Sequence, residues 1–188
     1  EVLSEMVALL RQEGVVALGF RANDPSIELF PPEPQAGARC LEFDRPIGSS
    51  DLSCYLDRLP ADYTILNMDR ALLERSPKLD EKLHRYGSIE NFLATGIAVC
   101  ILHGDEIVCE AYADMEIMGR SEIGIATQAA YRRRGLASCA CAQLIRLCEE
   151  SGAQTYWDCA RLNLGSIALA HRLGFQNERE YQLLAWFR

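Results

Sequence analysis

The stretch Glu122–Ser138, E-I-G-I-A-T-Q-A-A-Y-R-R-R-G-L-A-S, constrains this chain more than any other. It opens on Ile123, Gly124, Ile125 and Ala126, a short apolar run suited to a buried strand. It turns through Gln128–Tyr131, and from Arg134 an apolar pattern at helical spacing takes over. Ala137, Cys141, Leu144 and Cys148 fall on one face. A strand, a basic turn with Gly135 and a helix start together make an anion site. The first amides of a helix lack internal partners and carry partial positive charge. A glycine lets a phosphate approach the backbone without a Cβ in the way. Arg132, Arg133 and Arg134 add to the attraction, so the stretch predicts a phosphate-bearing ligand.

Two common phosphate loops are absent. No G-K-[ST] reaches for a γ-phosphate and Mg²⁺, and no G-x-G-x-x-G follows a strand. The pattern present is R-x-x-G-x-A, Arg132–Ala137, which by itself also suits a solvated basic helix start. The rest of the chain is acidic, with a net charge of −8 and a pI of about 4.9. That argues against nucleic acid, whose binders release counterions through broad basic surfaces. Tyr131 alone is no stacking platform. The local basic cluster suits a small anion better than a polymer.

The longest apolar runs, such as Ile97–Leu102, are too short to span a bilayer. Nothing in the opening residues resembles a signal peptide. A cytoplasmic protein with no membrane partner is expected. Eight cysteines include no C-x-x-C pair. Cys139 and Cys141 lie about 200° apart around a helix and cannot chelate together. Buried free thiols and no metal are expected.

Along the chain, Glu1–Glu13 reads as an amphipathic helix and Val15–Phe20 as a strand. Asp24–Gly37 holds four of the seven prolines and reads as an exposed loop. Strands at Arg39–Phe43 and Tyr63–Met68 flank a short helix near Leu52–Leu59. Leu72–Thr95 is helical, interrupted at Pro77 and Gly87, with Ser88 a cap. Ile97–Leu102 and Ile107–Tyr112 form a hairpin. After the Ile123 strand come a helix over Arg134–Glu150, a strand over Thr155–Cys159, a helix over Leu164–Leu173, and strands near Phe175 and Leu183–Phe187. The first ninety or so residues carry little functional information.

A second motif follows the first at a helix and a strand's distance. Asn163-x-x-Ser166 opens the helix that ends in L-G-F at Phe175. Alone, it is helix grammar: Asn163 as N-cap, Ser166 in the first turn, Gly174 as stop. The two motifs together resemble the GCN5-related N-acetyltransferase (GNAT) superfamily. E-I-G-I-A-T, Y-R-R-R-G-L-A-S and Y-W-D-C-A-R-L-N-L-G-S-I-A-L-A-H-R-L-G-F are similar to its zwittermicin A resistance-type branch, as is F-L-A-T-G-I-A-V-C-I-L-H-G-D-E-I-V-C-E-A. The likeness covers about Asn67–Phe175.

The resemblance implies an α/β (α+β) GNAT fold, a mixed, mostly antiparallel sheet with splayed central parallel strands flanked by helices. It divides the chain into a divergent part over residues 1–95 and an acetyl-CoA-binding core over 96–188. It implies that backbone groups of Ile125, Ala126 and Thr127 meet the pantetheine arm. It also implies that the turn, from Arg132 through Arg133, Arg134, Gly135, Leu136, Ala137 and Ser138, cradles the pyrophosphate. Asn163, with Ser166 in its motif, is implied to contact the pantetheine.

The implied chemistry is attack of a neutral amine on a thioester, and an ammonium must first lose a proton. Asp158 is the first candidate base, because amino-terminal acetylating relatives carry a carboxylate there; it serves equally to fix the following loop. Glu122 is the second, and also reads as a solvated strand start. Trp157 reads as core or as an acceptor wall. Relatives often place an acidic tyrosine seven residues after the asparagine, where this chain has Ala170. His171 lies about 100° round the helix from that position. The leading expectation is N-acetylation of a small-molecule amine, an antibiotic or amino acid, by a monomer or homodimer. A peptide or protein amine, and a non-catalytic acyl-CoA-binding module, are the alternatives.

Overall fold

The predicted hairpin forms as β4 (Ala98–His103) and β5 (Glu106–Ala113) in the computed structural model, which describes residues 15–21, 36–49, 51–114 and 119–187. The predicted Glu1–Glu13 helix and most of the proline-rich segment lie outside those residues. Two compact units divide the chain.

The larger unit comprises Asp44–Trp157 and Ala168–Gln176. Its strands add β3 (Tyr63–Asn67), β6 (Arg120–Thr127) and the start of β7 (Gln154–Ala160), in the order β7-β6-β5-β4-β3. All neighbours are antiparallel except β6 and β7, which run parallel. The expected mixed, mostly antiparallel sheet is therefore present.

Its helices follow from local grammar. After the short α1 (Ser53–Leu56), the Leu72–Thr95 region breaks at Pro77 and Gly87 into α2 (Arg70–Glu74), α3 (Leu79–Tyr86) and α4 (Ile89–Thr95). Asp69 accepts from the Leu72 amide at 2.9 Å and Ser88 from the Asn91 amide at 3.1 Å, so each of these caps satisfies a donor the helix cannot. Leu72, Leu73 and Phe92 pack with Ala98 and Cys100 on one face of the sheet. The alternate residues of β4, Val99 and Ile101, are wholly buried and point to the other face. There α5 (Leu136–Glu150) lies against β4, β5 and β6 with Cys141, Leu144 and Cys148 fully buried. Helices on both sides explain why Ile107–Ala111 is buried without alternation.

Two boundaries differ from expectation. The helix begins at Leu136 rather than Arg134, because Gly135 takes the left-handed conformation, φ 84, and serves as its N-cap. The closing strands near Phe175 and Leu183 are one strand, β8 (Gln176–Phe187). Its first half, Q-N-E-R-E-Y, has no apolar alternation to signal a strand. Phe175 is core, 2% exposed, with its amide on the Ala170 carbonyl.

The smaller unit holds β1 (Val15–Arg21), β2 (Ala36–Asp44) through Phe43, Asp158–Ile167 and the chain from Asn177. Strand order is β1-β8-β2, with β1 and β8 antiparallel from Val15–Phe187 to Arg21–Tyr181. Ion pairs Arg179–Glu42 and Arg39–Glu180 join β8 to β2. Helix α6 (Leu164–Arg172) runs from this unit into the larger one.

Candidate functional site

The parallel register of β6 and β7 holds over three pairs, Arg120–Gln154, Ser121–Thr155 and Glu122–Tyr156. β6 then continues to Thr127 while pairing only with β5 on its other side. The direction of its peptide groups follows from parity. The Asp114 amide donates to the Glu122 carbonyl and the Gln128 amide to the Val108 carbonyl, so even-numbered residues face β5. Odd-numbered residues face away from it. Ile125 thus turns its amide and carbonyl, and Thr127 its amide, to an open strand edge. Ala126 spends its own groups on Glu110 of β5, so of the three expected backbone contacts two point outward.

The turn after β6 begins with a 3-10 turn over Ala129–Tyr131. Arg132 donates from Nε to the Thr127 carbonyl at 3.1 Å and so fastens the turn to the strand end. Arg134 donates to the Tyr63 hydroxyl at 2.9 Å and the Ala130 carbonyl at 3.1 Å, and its guanidinium lies 5.1 Å from the Tyr131 ring centroid. Two of the three arginines thus hold the loop together while keeping their charge beside it. Arg133 is exposed and takes φ 64, and Gly135 follows with φ 84. Among the described residues, no acceptor pairs with the amides of Arg133, Arg134, Gly135, Leu136 or Ala137. The Ser138 amide instead donates to the Gly135 carbonyl at 2.9 Å. Five consecutive donors at a basic helix start make an arrangement that can accept an anion.

Glu122 is half-buried rather than a solvated strand start. The hydroxyl of its register partner, Tyr156, donates to its Oε2 at 3.4 Å. Arg120 lies over the Tyr156 ring at 4.6 Å and is anchored on Asp44 at 2.9 Å. On the same face, Tyr112 stands opposite Gly124. A Cβ on Gly124 would fall 2.4 Å from the Tyr112 Cζ, so glycine is what lets the ring lie on β6. Tyr112 also lines a cleft of about 350 Å³ with Asp80, Glu81, His84 and Arg85 of α3. Its hydroxyl donates to Glu81 at 3.1 Å. Burial, followed by the Glu81 charge, pushes the Tyr112 phenol well up. Lys78 hydrogen-bonded to Glu81 holds that carboxyl down. Arg85 pairs with Asp114 at 3.3 Å, whose amide bonds β6 at Glu122.

The remaining expected residues belong to the smaller unit. Asp158 accepts from the Tyr181 hydroxyl at 2.7 Å. Burial raises its carboxyl, the Tyr181 hydrogen bond opposes this, and the Glu42 charge adds to the rise. Asn163 caps α6, its Oδ1 accepting from the Ser166 amide at 3.2 Å. Ala170, in the larger unit, is wholly buried, so no donor sits at that position, and His171 is exposed. Trp157 is 1% exposed and packs edge-on against Phe175 at 5.4 Å, which makes it core rather than an acceptor wall. Sequence reasoning passed over Tyr156, Tyr112 and the α3 carboxylates. Tyr156 was legible as the neighbour of Trp157 that must face the opposite side. Nothing local marked α3, because its relation to β5 arises only on folding.

All eight cysteines are free, and only Cys54 is exposed. Among the described residues no cluster of His, Cys, Asp and Glu is arranged to hold a metal, and no helix is long and apolar enough to cross a membrane.

The open edge and the amide run fit a pyrophosphate-bearing acyl carrier. The model of the GNAT acetyltransferase family matches residues 36–184. The uncharacterized N-acetyltransferase YdfB of Bacillus subtilis (strain 168) is 31% identical over 128 residues, 67% of this chain and 49% of YdfB. The matched region thus spans about half the length of that curated relative. A GCN5-related N-acetyltransferase-like protein of Streptococcus suis 89/1591 has a similar structure, with a TM-score of 0.67 and 25% identity, over 98% of this chain and 67% of that one. Another, from Novosphingobium aromaticivorans DSM 12444 and provisionally named as a GNAT-family acetyltransferase, gives 0.68 and 18% over 97% and 78%. With its family model matched over most of its length and its open strand edge beside a basic helix start, the chain belongs to the GNAT acetyltransferase family, whose cosubstrate is acetyl-CoA.

Proposed function

We propose that this protein transfers the acetyl group of acetyl-CoA directly to a primary amine of a small molecule. The observation that carries this reading is the run of five amides without acceptors, Arg133–Ala137, next to the outward peptide groups of Ile125 and Thr127. The pyrophosphate takes the amide run, with Arg132, Arg133 and Arg134 supplying charge. Each such charge-assisted hydrogen bond contributes about 1.5–3 kcal/mol. The pantetheine arm has two amide groups and adds to the open edge as a strand would. A backbone amide on that edge opposes the negative charge that develops on the thioester oxygen. In this reading the cofactor residues lie within 96–188.

Glu122 is the favoured base, because it sits where the β6–β7 pairing ends and shares a face with the α3 cleft. Asp158 is the second candidate. The cleft carries Asp80, Glu81 and Arg85; Glu81 is paired with Lys78 and Arg85 with Asp114, so Asp80 is the carboxylate that supports a small cationic acceptor. The likeness of the core to the zwittermicin A resistance-type branch also favours a small molecule, such as an amino-compound antibiotic, over a peptide.

Acetyl-CoA turnover against a panel of amino sugars, polyamines, amino acids and amino-terminal peptides tests the reading. Release of CoA with a small cationic amine, and a KM for it raised about tenfold by Asp80→Asn with Glu81→Gln at little change in acetyl-CoA affinity, is expected. Turnover confined to peptides overturns the acceptor class, and none at all leaves a non-catalytic acyl-CoA-binding module.

A further inference from the structure

Acyl transfer leaves a CoA thiolate, and the position that often supplies its proton is a buried alanine, Ala170. The ligand's direction along the open edge indicates where that thiolate lies. The phosphate-binding turn follows Thr127, so the acyl end runs back along β6 toward the place where β6 and β7 are still paired. From Thr127 to Glu122 is five residues, about 17 Å at the rise of a strand. The outward groups of Thr127 and Ile125 accommodate the two amides of the arm, and the thioester then falls beside the last pair, Glu122 and Tyr156. Those two side chains stand on one face and are hydrogen-bonded, Tyr156 Oη to Glu122 Oε2, at 3.4 Å. The Tyr156 ring is held in place by Arg120 at 4.6 Å, itself fixed to Asp44.

Resting on the proposed acetyl transfer, we propose that Tyr156 is the proton donor to the departing thiolate and Glu122 the group that reprotonates it. The amine nitrogen forms its bond to the thioester carbon as Glu122 accepts the proton that nitrogen releases. The carbon–sulfur bond breaks with its electron pair going to sulfur. The phenol proton of Tyr156 moves to that sulfur, and the proton on Glu122 passes to the phenol oxygen. Amine and acetyl-CoA become amide and CoA thiol, both side chains end as they began, and no further reactant is needed. One hydrogen-bonded pair thus serves both proton transfers, which explains how position 170 can be an alanine.

The test uses the whole chain with acetyl-CoA and the amine of fastest turnover. Tyr156→Phe is expected to lower kcat about 10²-fold, at the lower end for general acid catalysis, while calorimetry finds acetyl-CoA affinity unchanged. Incorporating 3,5-difluorotyrosine at 156 keeps the ring and acidifies the phenol, so the alkaline limb of the pH–rate profile is expected to move to lower pH. A readout without turnover is the ¹⁹F resonance of 3-fluorotyrosine at 156, expected to shift when CoA is added and when Glu122 is changed to Gln. Wild-type turnover with Tyr156→Phe within threefold of it, an unmoved alkaline limb, or a resonance indifferent to CoA each overturns the role of Tyr156 and leaves acetyl transfer standing. A wild type that turns over no amine overturns both.

Discussion

Lys82 and Glu110 form an ion pair of 2.9 Å in which the two side chains are 0% and 2% exposed. Ser76 completes it, accepting from Lys82 Nζ at 3.0 Å and donating to Glu110 Oε2 at 2.7 Å. Burial drives the ammonium of Lys82 down in pKa and the Glu110 charge partly restores it. The pair stands on β5 beside β6, since Glu110 is paired with Ala126 and Lys82 lies 4.7 Å from the Tyr112 ring centroid. Lys82→Met leaves a buried carboxylate with no counter-charge and should cost about 3–5 kcal/mol. The double change Lys82→Met, Glu110→Leu should recover most of that in urea unfolding. Equal losses in the single and double variants would show that packing, not charge, sets the cost.

Gly124 is predicted to tolerate no side chain while Tyr112 is present. Gly124→Ala sets a methyl 2.4 Å from a ring atom that is hydrogen-bonded at its far end to Glu81. A loss of about 1–3 kcal/mol is expected from overpacking. Adding Tyr112→Leu should return part of it, as thermal denaturation will show. No relief in the double variant would mean that the strand itself, not the ring, resists the substitution.

Asp158 should make stability depend on pH with a definite sign. Its carboxyl is raised in the folded state, so its contribution is present below the unfolded value of 3.8 and is lost as pH rises through the folded value. Asp158→Asn, which still accepts from Tyr181, should gain on the wild type in Tm as pH goes from about 4 to 7. A constant difference across that range would remove burial as the governing influence on this carboxyl.

The second half of the fold was legible where local grammar and tertiary structure agree. Arg132–Ala137 needs a left-handed residue before a helix, and Gly135 is one. The apolar face of Ala137, Cys141 and Leu144 needs a sheet, and β4–β6 supply it. Pro77, Gly87 and Ser88 marked the helix breaks for the same reason. The beginning of β8 was not legible, because Gln176–Tyr181 lies beside β2 and is joined to it by ion pairs rather than marked by an apolar pattern. Nor was the Glu122–Tyr156 contact, which joins residues 34 apart across a parallel pair. Sequence shows which face a strand residue takes but not which strand lies beside it.

The most direct measurement is calorimetric titration of acetyl-CoA into the wild type, Gly135→Ala and Gly135→Glu. Gly135 has φ 84, and a Cβ added there would meet nothing within 4 Å. Alanine there should cost about 1 kcal/mol of stability through backbone conformation and weaken binding as well, because its Cβ stands where the phosphate would approach the backbone. Glutamate places a negative charge among the five amides and should abolish binding in a protein that remains folded. Saturable one-to-one binding by the wild type, weakened by alanine and lost with glutamate, is the predicted result. Wild-type protein that does not bind acetyl-CoA, or a glutamate variant that binds as well as wild type, would contradict the assignment of the Arg132–Ala137 turn as the pyrophosphate site.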